Sequence, residues 1–226
     1  MTTTTLSRVP DARARRRGFT LVEVLISSSL GAFILTGVMT CFLFLGRSGA
    51  NIQNYNDLDG QARRGLEQFA QDIRQASSIT WNGPSDVTLI VDSQYIRYYY
   101  STTAPAGSAL TGNFLYRTAP SATLPTIPAS PPLRTLVISG ITAPVARTSE
   151  TDTACTPLFR AYDINGNQLK YLEYASPSAT NLTNGGKATK QLQISLEAAR
   201  ISRTAARATN LVLSARYILR NKTVTA

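Results

Sequence analysis

Glu23 is the one charged side chain between residues 19 and 45, a run of 27 residues that is otherwise apolar, small or hydroxyl-bearing. A carboxylate on the apolar side of a membrane helix costs a few kcal/mol, so its default reading is functional. The plainer alternative is that Glu23 sits close enough to the interface to stay solvated. Two other patterns carry chemical potential. Asp163, Asn165 and Asn167 place oxygen ligands at alternate positions, as the start of a calcium loop does. Gly166, however, stands fourth in that run instead of sixth, and the twelfth position is Tyr174 where a calcium loop has Glu. A turn whose side chains bond nearby backbone is therefore expected. Tyr95, Tyr98, Tyr99 and Tyr100 surround Arg97, a combination able to stack on single-stranded nucleic acid. In a strand, alternation sends half of these rings to the core and leaves half as a surface pair. The chain has no histidine, no Gly-rich phosphate loop and no cysteine pair at metal-ligand spacing. No catalytic residue, cofactor or metal site is expected, and the chain reads as a non-enzyme.

Residues 19–45 exceed the roughly 20 apolar residues that a membrane-spanning helix needs. Gly31, Gly37 and the run Ser27-Ser28-Ser29 are compatible with that, because small residues are common where membrane helices pack. Just before the run stand Arg8, Arg13, Arg15, Arg16 and Arg17 against a single acid, Asp11. Positive charge on this flank holds it in the cytoplasm and sends the remainder outside. The rest of the net charge of +10 is spread thinly, which reads as solubility and not as a nucleic-acid footprint. Cys41 lies inside the apolar run and Cys155 far beyond it, so no disulfide between them is expected. A secretory signal has an apolar core of about 7–15 residues and a small-x-small cleavage site; this run is too long and no such site follows. A plain signal anchor fits the length but leaves Glu23 unexplained.

Residues 15–26, Arg-Arg-Arg-Gly-Phe-Thr-Leu-Val-Glu-Val-Leu-Ile, closely resemble the signature of type IV pilin and pseudopilin precursors. The resemblance implies that a prepilin peptidase cuts between Gly18 and Phe19 on the cytoplasmic side and methylates the new Phe19 amine. It implies Glu23 as the residue that docks subunits. The physics agrees: cleavage creates an ammonium at the positive end of the helix dipole, four residues before a carboxylate on the same face. In a filament, Glu23 can neutralise the amine of a neighbour, and a buried charge is tolerated only when paired.

Beyond the run, Gly46 and Gly49 are bend points, each costing about 1 kcal/mol relative to alanine. Ile52, Tyr55, Leu58, Ala62, Leu66, Phe69, Ile73 and Ala76 recur every three or four residues, an amphipathic stripe for packing on a sheet. Asp57, Arg63, Arg64, Glu67, Gln71, Asp72, Arg74 and Gln75 fall mainly on the other faces. The helix is expected to end near Ser77-Ser78, before the Asn82-Gly83-Pro84 breaker. Strands are predicted at 87–91 and 95–100 (a hairpin), 113–117, 134–139, 158–162, 169–174, 191–196 and 210–219, the last two closing the sheet. Segments 118–132, with five prolines, and 141–157 are expected as loops.

The predicted fold is α+β and pilin-like: a long N-terminal helix, membrane-spanning in its first half, packed on an antiparallel sheet. The expected divisions are a removed leader at 1–18, an anchor at 19–46, an amphipathic half-helix at 47–79 and a β-rich domain at 80–226. Segments 57–66, 72–76, 161–166 and 211–220 resemble the minor pilins called PilW and the J-type minor pseudopilins of type II secretion. That resemblance implies a minor, priming or tip subunit of a pilus or pseudopilus, with a DNA-uptake or adhesive pilus component as the alternative. The partners it implies are the prepilin peptidase, other major and minor pilins or pseudopilins, an inner-membrane assembly platform and membrane lipid. The implied location is the inner membrane, single-pass with a cytoplasmic N-terminus and a periplasmic or extracytoplasmic domain, and then the filament.

Overall fold

The structure, a computed structural model, describes residues 18–104, 112–124, 134–199 and 210–223. The arginine cluster before Gly18 and residues 125–132 of the expected proline-rich loop lie outside them. The chain divides into two compact units, 1–46 and 47–226. Helix α1 (Leu21–Gln75) contributes to both. In the first unit it is predominantly apolar and exposed on every side, from Leu21 and Val22 to Phe44 and Leu45.

In the second unit, burial along α1 begins at Leu58 and continues through Ala62, Phe69 and Ile73. The expected stripe is thus shorter at its start. Ile52 and Tyr55 remain 60% and 42% exposed, because no described element covers them. The helix ends at Gln75, and Ser77 N–H then donates to Ile90 O at 2.8 Å. That bond draws the next residues into a strand where none was expected, β1 (Ser78–Gly83), whose alternation buries Ile79 and Trp81. Asn82-Gly83-Pro84 is accordingly a strand end and turn. Strands β2 (Asp86–Val91), β3 (Gln94–Ser101), β4 (Phe114–Thr118) and β5 (Arg134–Ser139) follow β1 in order in one antiparallel sheet. The predicted hairpin at 87–100 is present, with Val91 opposite Gln94.

A second antiparallel sheet holds β6 (Phe159–Tyr162), β7 (Gln191–Ala199) and β8 (Asn210–Ile218). The last two strands therefore do not close the first sheet. Gly140, at φ +73°, turns the chain just after β5. Among the described residues, a single bridge, Ile141 to Ala198, then links the two ladders. Phe69 joins them within the core: its ring lies 4.9 Å from Tyr98 of the first sheet, and 5.8 and 5.9 Å from Phe159 and Tyr217 of the second.

Two further elements differ from expectation. Residues 169–174 are not a strand. Leu169 N–H donates to Ala161 O, after which Lys170–Leu172 wind into one 3-10 turn. The turn lets the consecutive side chains of Leu172 and Glu173 both point inward, which a strand cannot do. Glu173 is pulled in by Arg147, whose Nε and Nη2 donate to its Oε2 at 3.0 and 2.9 Å. The same guanidinium donates from Nη1 to the carbonyls of Ser149, Glu150 and Asp152, which organises the 141–157 segment without strands. Helix α2 (Ala179–Ala188) is also new. Ser178 caps it, its hydroxyl accepting from Asn181 N–H at 3.1 Å. Its two glycines weaken it as a helix but permit close packing. A Cβ on Gly185 would meet the Leu172 side chain at 2.9 Å or less, and one on Gly186 would meet Ile79 O at 2.8 Å.

Candidate functional site

The residues singled out for processing and docking lie at the start of α1, Gly18 and Phe19 just before it and Glu23 in its first turn. Thr20 is the last residue before the helix, and Glu23 stands three positions on. Thr20 N–H and Oγ1–H donate to Glu23 Oε2 at 2.9 and 3.0 Å, and Glu23 N–H donates back to Thr20 Oγ1 at 3.2 Å. This is a capping box: two helix-start donors that have no partner in the helix ladder are satisfied reciprocally. Glu23 is therefore engaged locally, with its carboxylate at the positive end of the helix. The motif Thr-x-x-Glu at 20–23 is legible in the sequence, and Thr20 is the residue that a reading centred on Glu23 alone misses.

Gly18 and Phe19 precede the cap, both exposed, Phe19 by 86%. A Cβ built on Gly18 would meet nothing within 4 Å. Among the described residues, its lack of a side chain thus answers no packing need. Any demand for glycine there comes from whatever grips the peptide.

The helix that follows is built for an apolar medium. An 18-residue window within it has mean hydropathy 2.0. Its hydroxyls are spent on its own backbone: Ser28 to Leu25 O, Ser29 to Ile26 O, Thr36 to Ala32 O and Thr40 to Thr36 O, at 2.8–3.0 Å. Back-bonding of this kind removes the desolvation cost that a free hydroxyl would carry in hydrocarbon. Cys41 is a free, exposed thiol within the same stretch.

The other candidate groups are absorbed by structure. Asp163 accepts from Asn167 N–H at 2.8 Å through Oδ1 and from Asn167 Nδ2 at 3.0 Å through Oδ2. The side-chain bond from Asn167 holds the Asp163 carboxyl below its ordinary range. Among the described residues no group of three or more acids or cysteines could hold a metal ion. The tyrosines do not form a surface pair. Tyr98 and Tyr99 are both buried, on opposite faces of β3. Tyr99 stacks on Tyr116 at 5.7 Å in a second small cluster with Phe114. Arg97 is bound through two nitrogens to Asp86. No open stacking platform remains there.

Asp72 departs most from its expected place on a solvated helix face. It is buried and accepts from Tyr98 Oη–H at 2.6 Å, Arg117 Nε at 2.7 Å and Nη2 at 3.1 Å, and Gln68 Nε2 at 3.3 Å. Burial first, and then the Asp72 charge, push the Tyr98 hydroxyl far up. Arg117, Arg147 and Arg160 are all engaged inside the fold, and Arg216 lies 3.5 Å over the Tyr162 ring.

Residues 13–39 match a family model described as the prokaryotic N-terminal methylation motif. No curated protein matches the chain. The motif spans the capping box, the residues just before it and the first turns of the exposed apolar helix, and it indicates a pilin-like N-terminus processed by a prepilin peptidase.

Proposed function

We propose that the chain is a minor pilin or pseudopilin, cut between Gly18 and Phe19, N-methylated at Phe19 and inserted from the inner membrane into a filament. The methylation motif over residues 13–39 carries this reading. It is supported by a helix of membrane-spanning length whose apolar residues from Leu21 to Leu45 are covered by no described residue. In a monomer that surface belongs in lipid; in a filament, neighbouring helices replace the lipid. In this reading residues 1–18 are the leader, 19–46 the anchor, 47–79 the amphipathic half of the helix and 80–226 the β-rich domain held outside.

Glu23 has two roles in this reading. Before cleavage its carboxylate is satisfied by Thr20. After cleavage the Phe19 ammonium becomes a stronger partner, because charge-assisted bonds are roughly twice as strong as neutral ones. Exchange from Thr20 to the amine of a neighbour would then set subunit register. The minor, priming or tip assignment rests on the resemblance of segments 57–66, 72–76, 161–166 and 211–220, and the partners are the peptidase, other pilins or pseudopilins and the assembly platform.

The test is Gly18→Ala in the native host. The side chain has room within the subunit, so the precursor should insert normally and stay uncut. Normal cleavage of this variant, or failure of the wild type to be cut, would remove the proposal. Traces of the chain in sheared filaments would indicate a minor subunit, and abundance a major one.

A further inference from the structure

Among the described residues, buried charges in the second unit are matched, with one exception. Asp72 faces Arg117, and Glu173 faces Arg147 and Arg160. Lys222, after β8, is only 4% exposed. Its ammonium donates to Lys187 O in the last turn of α2, and the neighbouring Lys190 ammonium donates to Lys222 O. Among the described residues neither lysine forms an ion pair with a carboxylate. An ammonium has three N–H groups, and Lys222 spends one. The negative end of α2 offsets about half a charge, less than two adjacent cations require. Burial and then Lys190 push the Lys222 ammonium down, the direction expected where no anion sits beside it.

Lys222 lines a cavity of about 400 Å³ between β1 and α2, together with Ser78, Thr80, Thr183, Lys187 and Thr223. The Ser78, Thr80 and Thr223 hydroxyls bond to no other described residue, so their donors are available. Close contact of Gly186 with Ile79 O fixes α2 against β1 and holds the cavity walls in place. Two lysines and three hydroxyls with no other described partner line this one concave space, a set that matches an oxyanion, whose oxygens accept from several directions at once.

We propose that this cavity is a binding site for a small inorganic oxyanion of the phosphate or sulfate type. Lys222 and Lys187 supply the charge, and Ser78, Thr80 and Thr223 the remaining donors. A bound dianion would give Lys222 the counter-charge that the fold itself withholds.

The experiment uses the full chain in detergent, melted in sodium phosphate or sodium sulfate against sodium chloride at matched ionic strength. The expected result is a saturable upward shift in Tm of several degrees. Lys187→Gln, an exposed position that leaves the fold intact, should weaken the apparent affinity at least tenfold, and Lys222→Met should abolish the saturable shift. General stabilisation by kosmotropic salts rises without saturation and is shared by all variants. Two results overturn the site: no saturable shift in the wild type, or the same saturable shift in Lys187→Gln, the variant that serves if Lys222→Met fails to fold.

Discussion

Residues 21–45 and residues 58–75 lie on one helix, yet they are held by different physics. In the first stretch every large apolar side chain is exposed, and order comes from the backbone ladder, a capping box and back-bonded hydroxyls. In the second, Leu58, Ala62, Phe69 and Ile73 are buried in a core shared with both sheets. The same periodicity therefore serves two media. The first stretch is complete only when something apolar surrounds it, whereas the second carries its own surroundings.

Substitutions of one residue type in the two stretches sharpen that contrast. Phe69→Ala should destabilise the outer domain by about 3–5 kcal/mol, since the ring fills the junction of the two sheets. Phe33→Ala, on a side chain 78% exposed, should leave domain unfolding unchanged and weaken membrane retention by about 1.5–3 kcal/mol. Trp81 is the only tryptophan and is buried in the domain, so its fluorescence in urea titrations reports that domain alone. Equal effects of the two changes on the Trp81 transition would break the contrast.

Next in size is Asp72→Ala. It leaves Arg117 and Tyr98 without their acceptor, and a loss of about 3 kcal/mol is expected. Adding Arg117→Met should restore part of that loss; strict additivity of the two changes would mean the pair does not act as a unit.

Smaller again is Thr20→Ala, which removes the cap at a cost of about 1 kcal/mol local to the helix start. Amide exchange at residues 21–24 should quicken while the Trp81 transition stays put.

The weakest effect is on acid stability. Asp152 and Asp163 are half-buried residues whose carboxyls are held below their ordinary 3.8, mainly by a backbone bond from Thr148 and by the side chain of Asn167 respectively. Their unfolded forms take up protons first, so their contribution is full above that ordinary value. It is lost as pH falls through the lowered folded values. Replacing both with Asn should flatten the acid limb of a melting profile slightly, without moving it above pH 5.

What was legible in the sequence follows the same division. The anchor depends on composition and local pattern, so the apolar run at residues 19–45 and its anomalous Glu23 could be picked out directly. Most strands declared themselves by alternation. The failures lie where tertiary contacts override local preference. Asp72 looks like a polar helix residue until Arg117, 45 positions later, is brought beside it. Residues 169–174 alternate like a strand, but Arg147 pulls Glu173 inward and winds the chain into a turn. Helix α2 is masked by Gly185 and Gly186, which are poor for a helix and necessary for packing on Leu172 and Ile79. At the candidate site, Glu23 was visible as an anomaly, while its bond to Thr20 required recognising the capping box across the same four residues.

The central claim is that the exposed helix begins a processed subunit, and the intact mass of the protein recovered from its host membrane tests it most directly. The expected species starts at Phe19 and carries one added methyl group, placed on the terminal amine by fragmentation. A protein retaining residues 1–18, or starting at any residue other than Phe19, would contradict the account.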